Sequence, residues 1–479
     1  MYLGLDLGTS GLKGVLTDND QNVAGEATAP LTVQRPHDGW SEQRPADWLA
    51  ATESVIASLG QDHDLSAVRG IGISGQMHGA TLLDQAGDVL RPCMLWNDTR
   101  SHAQAAAMDA DPDWRDISGN IVFPGFTAPK VAWVFANEPE VFAKCARVLL
   151  PKDYLRFWLT GEAVSEMSDA AGTSWLDTGA RDWSDKLLAA SGLSRKHMPR
   201  LVEGSEPTGT LRADLAQRWG MRPDVILAGG AGDNAAAAVG MGVVRPGQAF
   251  VSLGTSGVLF AASSAYQPDA PAAVHTFCHA LPDLWHQMGV ILACTDSLNW
   301  YASLVGSDAA TLTESLGMLQ APSQTLFLPY LGGERTPHND AAARGAFLGL
   351  GHATDKEAGT RAVLEGVSFA FADCLDALQS TGTRIDSLVA VGGGSRSGYW
   401  LQALATALNM PVDVPEAGDF GGAFGAARLA QMAVTGGGAE LAAPPRIAQT
   451  VVPDTALLDA FSAGHARYRA AYHALKEAL

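Results

Sequence analysis

Short apolar runs broken by glycine turns alternate along this chain with longer stretches of helical periodicity. Tyr2–Leu7, Leu12–Thr17 and Val23 to about Val33 read as a three-stranded meander, with Asp18-Asn19-Asp20 as its second turn. Pro45 opens a helix to about Leu59. Val68–Ser74 is a strand, and a β-ribbon follows through Thr81–Asp84 and Val89–Pro92 to Leu95-Trp96-Asn97-Asp98. Residues 99–220 read as mostly helical, with most of their many aromatics in the core. The strand Val225–Ala228 runs into Gly229-Gly230-Ala231-Gly232-Asp233-Asn234 and then a small-residue helix, Ala235–Val239. Beyond it the pattern predicts a glycine hairpin between Ala249–Leu253 and Val258–Ala262, and a helix near Thr295–Leu304. A strand at Thr325–Leu328, a long helix from about Asp355 to Gln379, and the unit Ser387–Val391, Gly392-Gly393-Gly394-Ser395, Tyr399–Leu408 follow. The run Gly418 to Ala430 is so rich in Gly and Ala that its helix must pack very closely on a neighbour, and an amphipathic helix, about Thr455–Leu475, closes the chain. Strands alternate with helices in both halves, so the fold class is α/β, in two domains (1–245 and 246–479) with a cleft between them.

One stretch occurs twice. Leu7-Gly8-Thr9-Ser10-Gly11 returns half a chain later as Leu253-Gly254-Thr255-Ser256-Gly257, again between apolar strand-like runs. Glycines let backbone N–H groups approach and face an anion, so both hairpins are candidate phosphate cradles. The strand entering the first hairpin carries Asp6, where the second has Ser252. The turn itself therefore does not require an acid, and Asp6 is a candidate for holding Mg²⁺ through water and phosphate oxygens.

Composition narrows the functions open to such a fold. Of 479 residues, 47% are apolar and 17% charged, as in a globular enzyme. The net charge of −19 argues against nonspecific binding to nucleic acid or anionic membranes. An anionic substrate must then be held by local N–H groups or a metal. Cys93, Cys145, Cys278, Cys294 and Cys374 are scattered without ligand spacing and read as reduced thiols of a cytoplasmic protein. No signal peptide or membrane-spanning run is expected, and a homodimer is left open.

Four places carry candidate chemistry. The first is Asp6 with its hairpin. The second is Asp233, either a helix N-cap or a general base facing the cleft; its local sequence leaves both open. The third is Gly392-Gly393-Gly394-Ser395, a strand-to-helix turn able to border a nucleotide. The fourth is Gln76-Met77-His78, which with Trp96, Asn97 and Asp98 makes a polyol pocket plausible. His275, His279 and His286 are not read as a metal site. The chain has no GxxxxGK[ST] and no GxGxxG in an opening βαβ unit, so neither a P-loop nor a Rossmann dehydrogenase is expected.

Together the motif from Asp6 to Lys13, its repeat at Leu253, the Gly393-Gly394 turn and the segment Gly229–Asn234 resemble the FGGY carbohydrate kinases. So do Trp40-Ser41-Glu42-Gln43, Gly75–Asp84, Leu95–Asp98, Pro151–Tyr154, Met167–Thr173, Gly125–Val134 and Gly333–Asn339. The resemblance implies two duplicated actin-like, ribonuclease-H-like domains of the actin/Hsp70/sugar-kinase superfamily. Within the family, it implies ATP-dependent phosphorylation of D-xylulose to D-xylulose 5-phosphate. By position, Asp233 would be the base on the sugar O5 hydroxyl and Asp6 would organise Mg²⁺ and the transferring phosphoryl. Met77 and His78 would line the sugar site, with Gln76, Trp96, Asn97, Asp98 and Asn234 as further members. Gly8, Thr9, Ser10, Lys13, Gly254, Thr255 and Ser256 would serve the phosphates, and Gly392, Gly393, Gly394 and Ser395 would border adenosine. The N-terminal lobe is thus expected to hold metal, sugar and base, the second hairpin to clamp the nucleotide. Glu334 and Arg335 receive no role. A kinase for ribulose, glycerol or gluconate is the nearest rival, and a non-catalytic nucleotide switch the rival of another class.

Overall fold

The computed structural model describes residues 1–416 and 421–476. The first sheet grows from the predicted meander, β1 (Tyr2–Leu7), β2 (Gly11–Thr17) and β3 (Val23–Pro30), which pair antiparallel. After the helix α1 (Pro45–Asp62), β4 (Gly70–Gly75) returns parallel to β1. The strands β5 (Pro207–Thr210) and β6 (Ile226–Ala228) complete the order β5-β6-β4-β1-β2-β3, and the short β7 (Ala231–Gly232) extends the ladder on β4. The helix α2 (Asp233–Gly240) starts directly from β7.

The second sheet repeats this plan. Here β8 (Gly247–Leu253), β9 (Gly257–Ser263) and β11 (Trp285–Ile291) form the antiparallel meander, with β10 (His275–Cys278) added at its edge. The helices α3 (Thr295–Leu304) and α4 (Lys356–Ser380) follow, then β12 (Ile385–Val391) parallel to β8. After α5 (Gly398–Leu408), β13 (Val412–Pro415) joins parallel to β12 and β14 (Ile447–Val451) antiparallel to β13. Strand for strand, β3-β2-β1-β4-β6-β5 matches β11-β9-β8-β12-β13-β14. The repeat legible in five letters is therefore a repeat of whole domains.

Two expectations change. Residues 99–220 are not simply helical: helices alternate with strands of two to four residues, such as Arg147–Leu149, Val164–Glu166 and Arg200–Val202. Strands this short cannot display a period-2 pattern, so they are invisible until they pair. The aromatics there are mostly core, with Trp114, Trp175 and Trp183 buried, although Phe135 is 58% exposed.

The chain also does not divide cleanly at residue 245. Helix α6 (Gly422–Thr435) lies against β1, β4 and α2 of the first domain. A methyl at Gly4 would overlap the carbonyl of Ala423, one at Gly72 that of Ala426, and one at α6's own Gly425 that of Ala236. Such backbone-to-backbone approach is possible only with glycine at those points. The close packing expected of the Gly/Ala run is thus met by α6; the part of that run at 418–420 lies outside the described residues. Arg428 fastens the contact, donating to the carbonyls of Val239 and Gly240 and to Gln21. The closing helix, α7, spans Leu458–Lys476.

Candidate active site

The two hairpins share letters but not register. In the first, Leu7 pairs with Leu12 around a four-residue turn; in the second, Leu253 pairs with Gly257 around three. The first turn is closed by Gly8 N–H on Gly11 O at 3.0 Å. It is held from outside by Gln43 on Thr9 O (2.7 Å) and Trp96 on Thr9 Oγ1 (3.0 Å). The second is tightened by the start of α3, where Cys294 and Thr295 donate to Thr255 O (2.8 Å) and Gly254 O (2.9 Å). Because strand faces alternate, a one-residue shift exchanges inside for outside. Val258 accordingly looks into the cleft, whereas Leu12 is buried.

Between the domains lies a cavity of about 540 Å³. Of the sequence-derived candidates, Met77, His78, Trp96, Asn97, Asp98, Asp233, Asn234 and Ser256 line it. A second cavity of about 490 Å³ opens beside Gly393 and Gly394, walled by Asn299 and Leu298 of α3, Thr313, Arg396 and Trp400. Gly8, Thr9, Ser10, Lys13, Gly254, Thr255, Gly392 and Ser395 line neither. Lys13 stands opposite Asp6 in the β1–β2 ladder and lies 3.0 Å from Glu26.

Asp233 is the first residue of α2, not its cap; Gly232 takes that position. Its carboxylate sits in a recess of the cleft floor, walled by protein yet still reached by solvent. Burial, and secondarily the charge of Asp6, push its pKa up to about 6. Asn234 opposes this by donating its backbone N–H (2.7 Å) and carboxamide (3.0 Å) to Oδ1. Asp6, at the end of β1, accepts from Ser74 Oγ at 2.9 Å. The bed under Asp233 is ionic and fully buried. Gly232 N–H donates to Ser168 Oγ (3.0 Å), Ser168 Oγ donates to Glu166 (3.0 Å), and Arg156 holds Gly229 O. Lys152 stands among Asp153 (2.6 Å), Glu166 (3.3 Å) and Asp169 (3.3 Å), and burial pushes Asp169 well above the carboxylate range. Here the Pro151–Tyr154 and Met167–Thr173 segments find their purpose.

His78 is held in a left-handed backbone conformation, φ 70°. Lys130 and Thr127 of the Gly125–Val134 segment donate to its carbonyl at 2.8 and 3.2 Å. Its Nδ1 donates to Gly172 O at 2.7 Å, and burial lowers its pKa to about 3, so the ring is neutral.

Two candidates are placed differently from expectation. Gln76 is off the cavity wall: its carboxamide accepts from Thr9 Oγ1 (3.0 Å) and donates to Gln43 (3.1 Å), bracing the first hairpin from behind. Asp98 is in the wall but wholly buried. Both its oxygens are engaged by Arg100 and by Ser41 N–H (2.7 Å). Arg100 in turn stacks 3.4 Å over Trp40 and pairs with Glu42, which accounts for the Trp40–Gln43 motif. Asn97, next to it, has a buried Oδ1 with no partner.

The second domain contributes eight of the twenty wall residues. His275, Phe277, Met288, Val290, Leu292 and Arg335 line the cavity, His275 lying 5.4 Å from Phe123 and Phe277 6.2 Å from Phe126 of the first domain. His78 stacks on Phe126 at 4.4 Å, and Phe126 meets Phe123 at 5.6 Å. Sequence reading missed Phe123 and Phe126 because aromatics in a region read as helical look like core. The one signal available was the alternation His275, Phe277 on a single face of β10.

Among the described residues no group of three or more His, Cys, Asp or Glu could hold a metal ion, and no helix is long and apolar enough to cross a membrane. Comparison with known proteins is consistent along the whole chain. Residues 1–240 match the N-terminal domain of the FGGY family of carbohydrate kinases, and residues 249–434 its C-terminal domain. A xylulose kinase of Escherichia coli K12 is 50% identical over 90% of this chain and 90% of its own. A crystal structure of a xyloylose kinase from Brucella ovis superposes with a TM-score of 0.99 at 61% identity, covering 100% of both chains. A xylulose kinase from Rhodospirillum rubrum gives 0.93 at 28% identity, over 99% of both.

Proposed function

Since the chain belongs to the FGGY family of carbohydrate kinases, we propose that it transfers the γ-phosphoryl of ATP to O5 of D-xylulose, giving D-xylulose 5-phosphate and ADP. The observation that carries this reading is Asp233, a carboxylate in the cleft floor made more basic than usual, with Asp6 close by. The relatives named xylulose kinase support the choice of sugar.

Asp233 takes the proton from O5 as the oxygen attacks the γ-phosphorus. The bond from that phosphorus to the bridging oxygen breaks, and ADP leaves with the electron pair. A pKa of about 6 leaves Asp233 ionised at neutral pH and makes it a better proton acceptor than an ordinary aspartate. With Oδ1 held by Asn234, Oδ2 is the oxygen for the substrate. The unpartnered Asn97 Oδ1 and the neutral His78 ring suit sugar hydroxyls. The hairpin N–H groups cradle phosphates, and the cavity at Gly393 and Gly394 takes adenosine.

Asp6, a hard oxygen donor held by Ser74, would be the residue that holds Mg²⁺ arriving with the nucleotide. When bound, the ion neutralises charge on the phosphates. Closure of the two domains over both substrates would keep water from O5's position, so that ATP is not simply hydrolysed. The reading places the enzyme in the cytoplasm, with its ATP.

The test is a panel of D-xylulose, D-ribulose, L-ribulose, glycerol and gluconate with ADP detection, run beside Asp233→Asn. D-xylulose should be turned over fastest. The variant should lose sugar phosphorylation by about 10³-fold or more while still binding ATP. Faster turnover of another acceptor, or an active variant, would overturn the assignment.

A further inference from the structure

Arg335 reaches the sugar cavity from the second domain. Its loop is fastened on both sides. Glu334 Oε1 accepts from Arg335 N (2.7 Å) and Leu292 N (2.9 Å), and Thr336 Oγ1 bonds Val290 N (3.0 Å) and Ala273 O (2.8 Å). The guanidinium lies over Phe123, 3.8 Å from the ring centre. Arginine only donates, so the 3.2 Å contact from Nη1 makes His275 Nε2 the acceptor. Among the described residues no carboxylate forms an ion pair with it, the adjacent Glu334 acting on it only from beyond ion-pair distance, and it is the one Lys or Arg on the cavity wall. In a chain of net charge −19, a cation set against an aromatic face with a neutral imidazole as partner has most of its five donors left for a ligand.

Its position says which end of the ligand. Met77 abuts Gly232, the residue before Asp233, and His78, Phe126 and Phe123 lead stepwise away from there to Arg335. A sugar with its O5 at Asp233 extends its other end along these rings. Resting on the function proposed above, we infer that Arg335 recognises the ketone end of the open-chain sugar, donating to the C2 carbonyl oxygen. A donor-only fork suits an oxygen that only accepts. A C2 hydroxyl there must also place its own proton, and the acceptor nitrogen of the adjacent His275 is already taken by Arg335.

The experiment compares kcat and KM for D-xylulose and for xylitol, which carries a hydroxyl at C2, in wild type, Arg335→Met and Arg335→Lys. Wild type should prefer the ketose. Arg335→Met should raise KM for D-xylulose about 10- to 100-fold, the range for losing a hydrogen bond from a charged donor. Its kcat/KM for xylitol should change by less than about three-fold and its KM for ATP by less than about two-fold, since neither uses the carbonyl contact. Arg335→Lys should fall between, keeping charge but not the fork. Equal losses on both acceptors, or a matching rise in KM for ATP, would overturn the inference. Should Arg335→Met fail to fold, a ketose-to-xylitol ratio in Arg335→Lys unchanged from wild type would overturn it alone. A wild-type enzyme idle on D-xylulose would instead overturn the function on which the inference rests.

Discussion

Replacing Asn234 with Ala should move the acid limb of the activity–pH profile upward, beyond any loss of rate. Asp233 Oδ1 accepts from the Asn234 backbone and carboxamide, and both bonds favour the carboxylate. They hold down a pKa that burial and then Asp6 raise to about 6. The variant keeps the backbone donor and loses the carboxamide. A hydrogen bond to a charged group contributes about 1.5–3 kcal/mol in a dry site. In a cleft that water reaches, about half of this survives, equivalent to roughly half to one pKa unit. The sign follows from the chemistry. Proton acceptance needs the carboxylate, so wild-type kcat/KM falls as pH drops through about 6, and the variant's falls earlier, through about 6.5–7. At pH 6 half of the wild-type base is ionised, against about a quarter to a tenth in the variant, so this term alone lowers activity about two- to five-fold and vanishes above roughly pH 8. The assay is quenched quantification of sugar phosphate across about pH 4.5–8.5. The terminal phosphate of ATP titrates in the same region, near about 6. The variant separates the two, because the nucleotide's own limb cannot follow Asn234. A limb that stays put or moves down in Asn234→Ala, or a wild-type limb below about pH 5, would refute the reasoning.

Four further outcomes test the frame around that carboxylate. Gly393 has open space around it, so Gly393→Val should project into the second cavity and raise KM for ATP about ten-fold or more with the sugar KM unchanged, read by steady-state kinetics. In Gly72→Ala the new methyl would lie 2.7 Å from the Ala426 carbonyl carbon and overlap its oxygen, forcing α6 off the sheet; urea unfolding should show a loss of about 3 kcal/mol or more. Gly351→Ala, which meets nothing within 4 Å, should change stability by less than about 0.5 kcal/mol in the same measurement. Lys152→Met leaves Asp153, Glu166 and Asp169 without their shared cation and should cost about 3–5 kcal/mol, with a fall in kcat because Ser168 and Glu166 carry the strand that ends at Gly232, next to Asp233.

Sequence alone determined what local chemistry determines. The period of apolar residues placed the first meander and the hairpin that opens the second, and turn glycines marked both hairpins and the Gly392–Ser395 turn; the run Gly229–Gly232 marked the approach to Asp233. Strand, turn and helix signals act between neighbours, so they survive in one dimension. The residue types of Met77, His78, Trp96, Asn97 and Asp233 were legible, and they meet on one cavity. What only the tertiary structure decided depends on groups distant in sequence. Identical hairpin letters take two registers because α3 tightens one and Gln43 with Trp96 holds the other. Gln76 turns to Thr9 and Asp98 to Arg100 because their partners, which no local pattern names, are waiting there. A helix near the end of the chain completes the first domain because glycines at 4, 72 and 425 let backbones touch. Asp233 could be read locally as cap or base; in the fold Gly232 is the cap, and desolvation with the nearby charge of Asp6 raises the Asp233 pKa to about 6. Desolvation and charge proximity are properties of a packed volume, and only the folded chain has one.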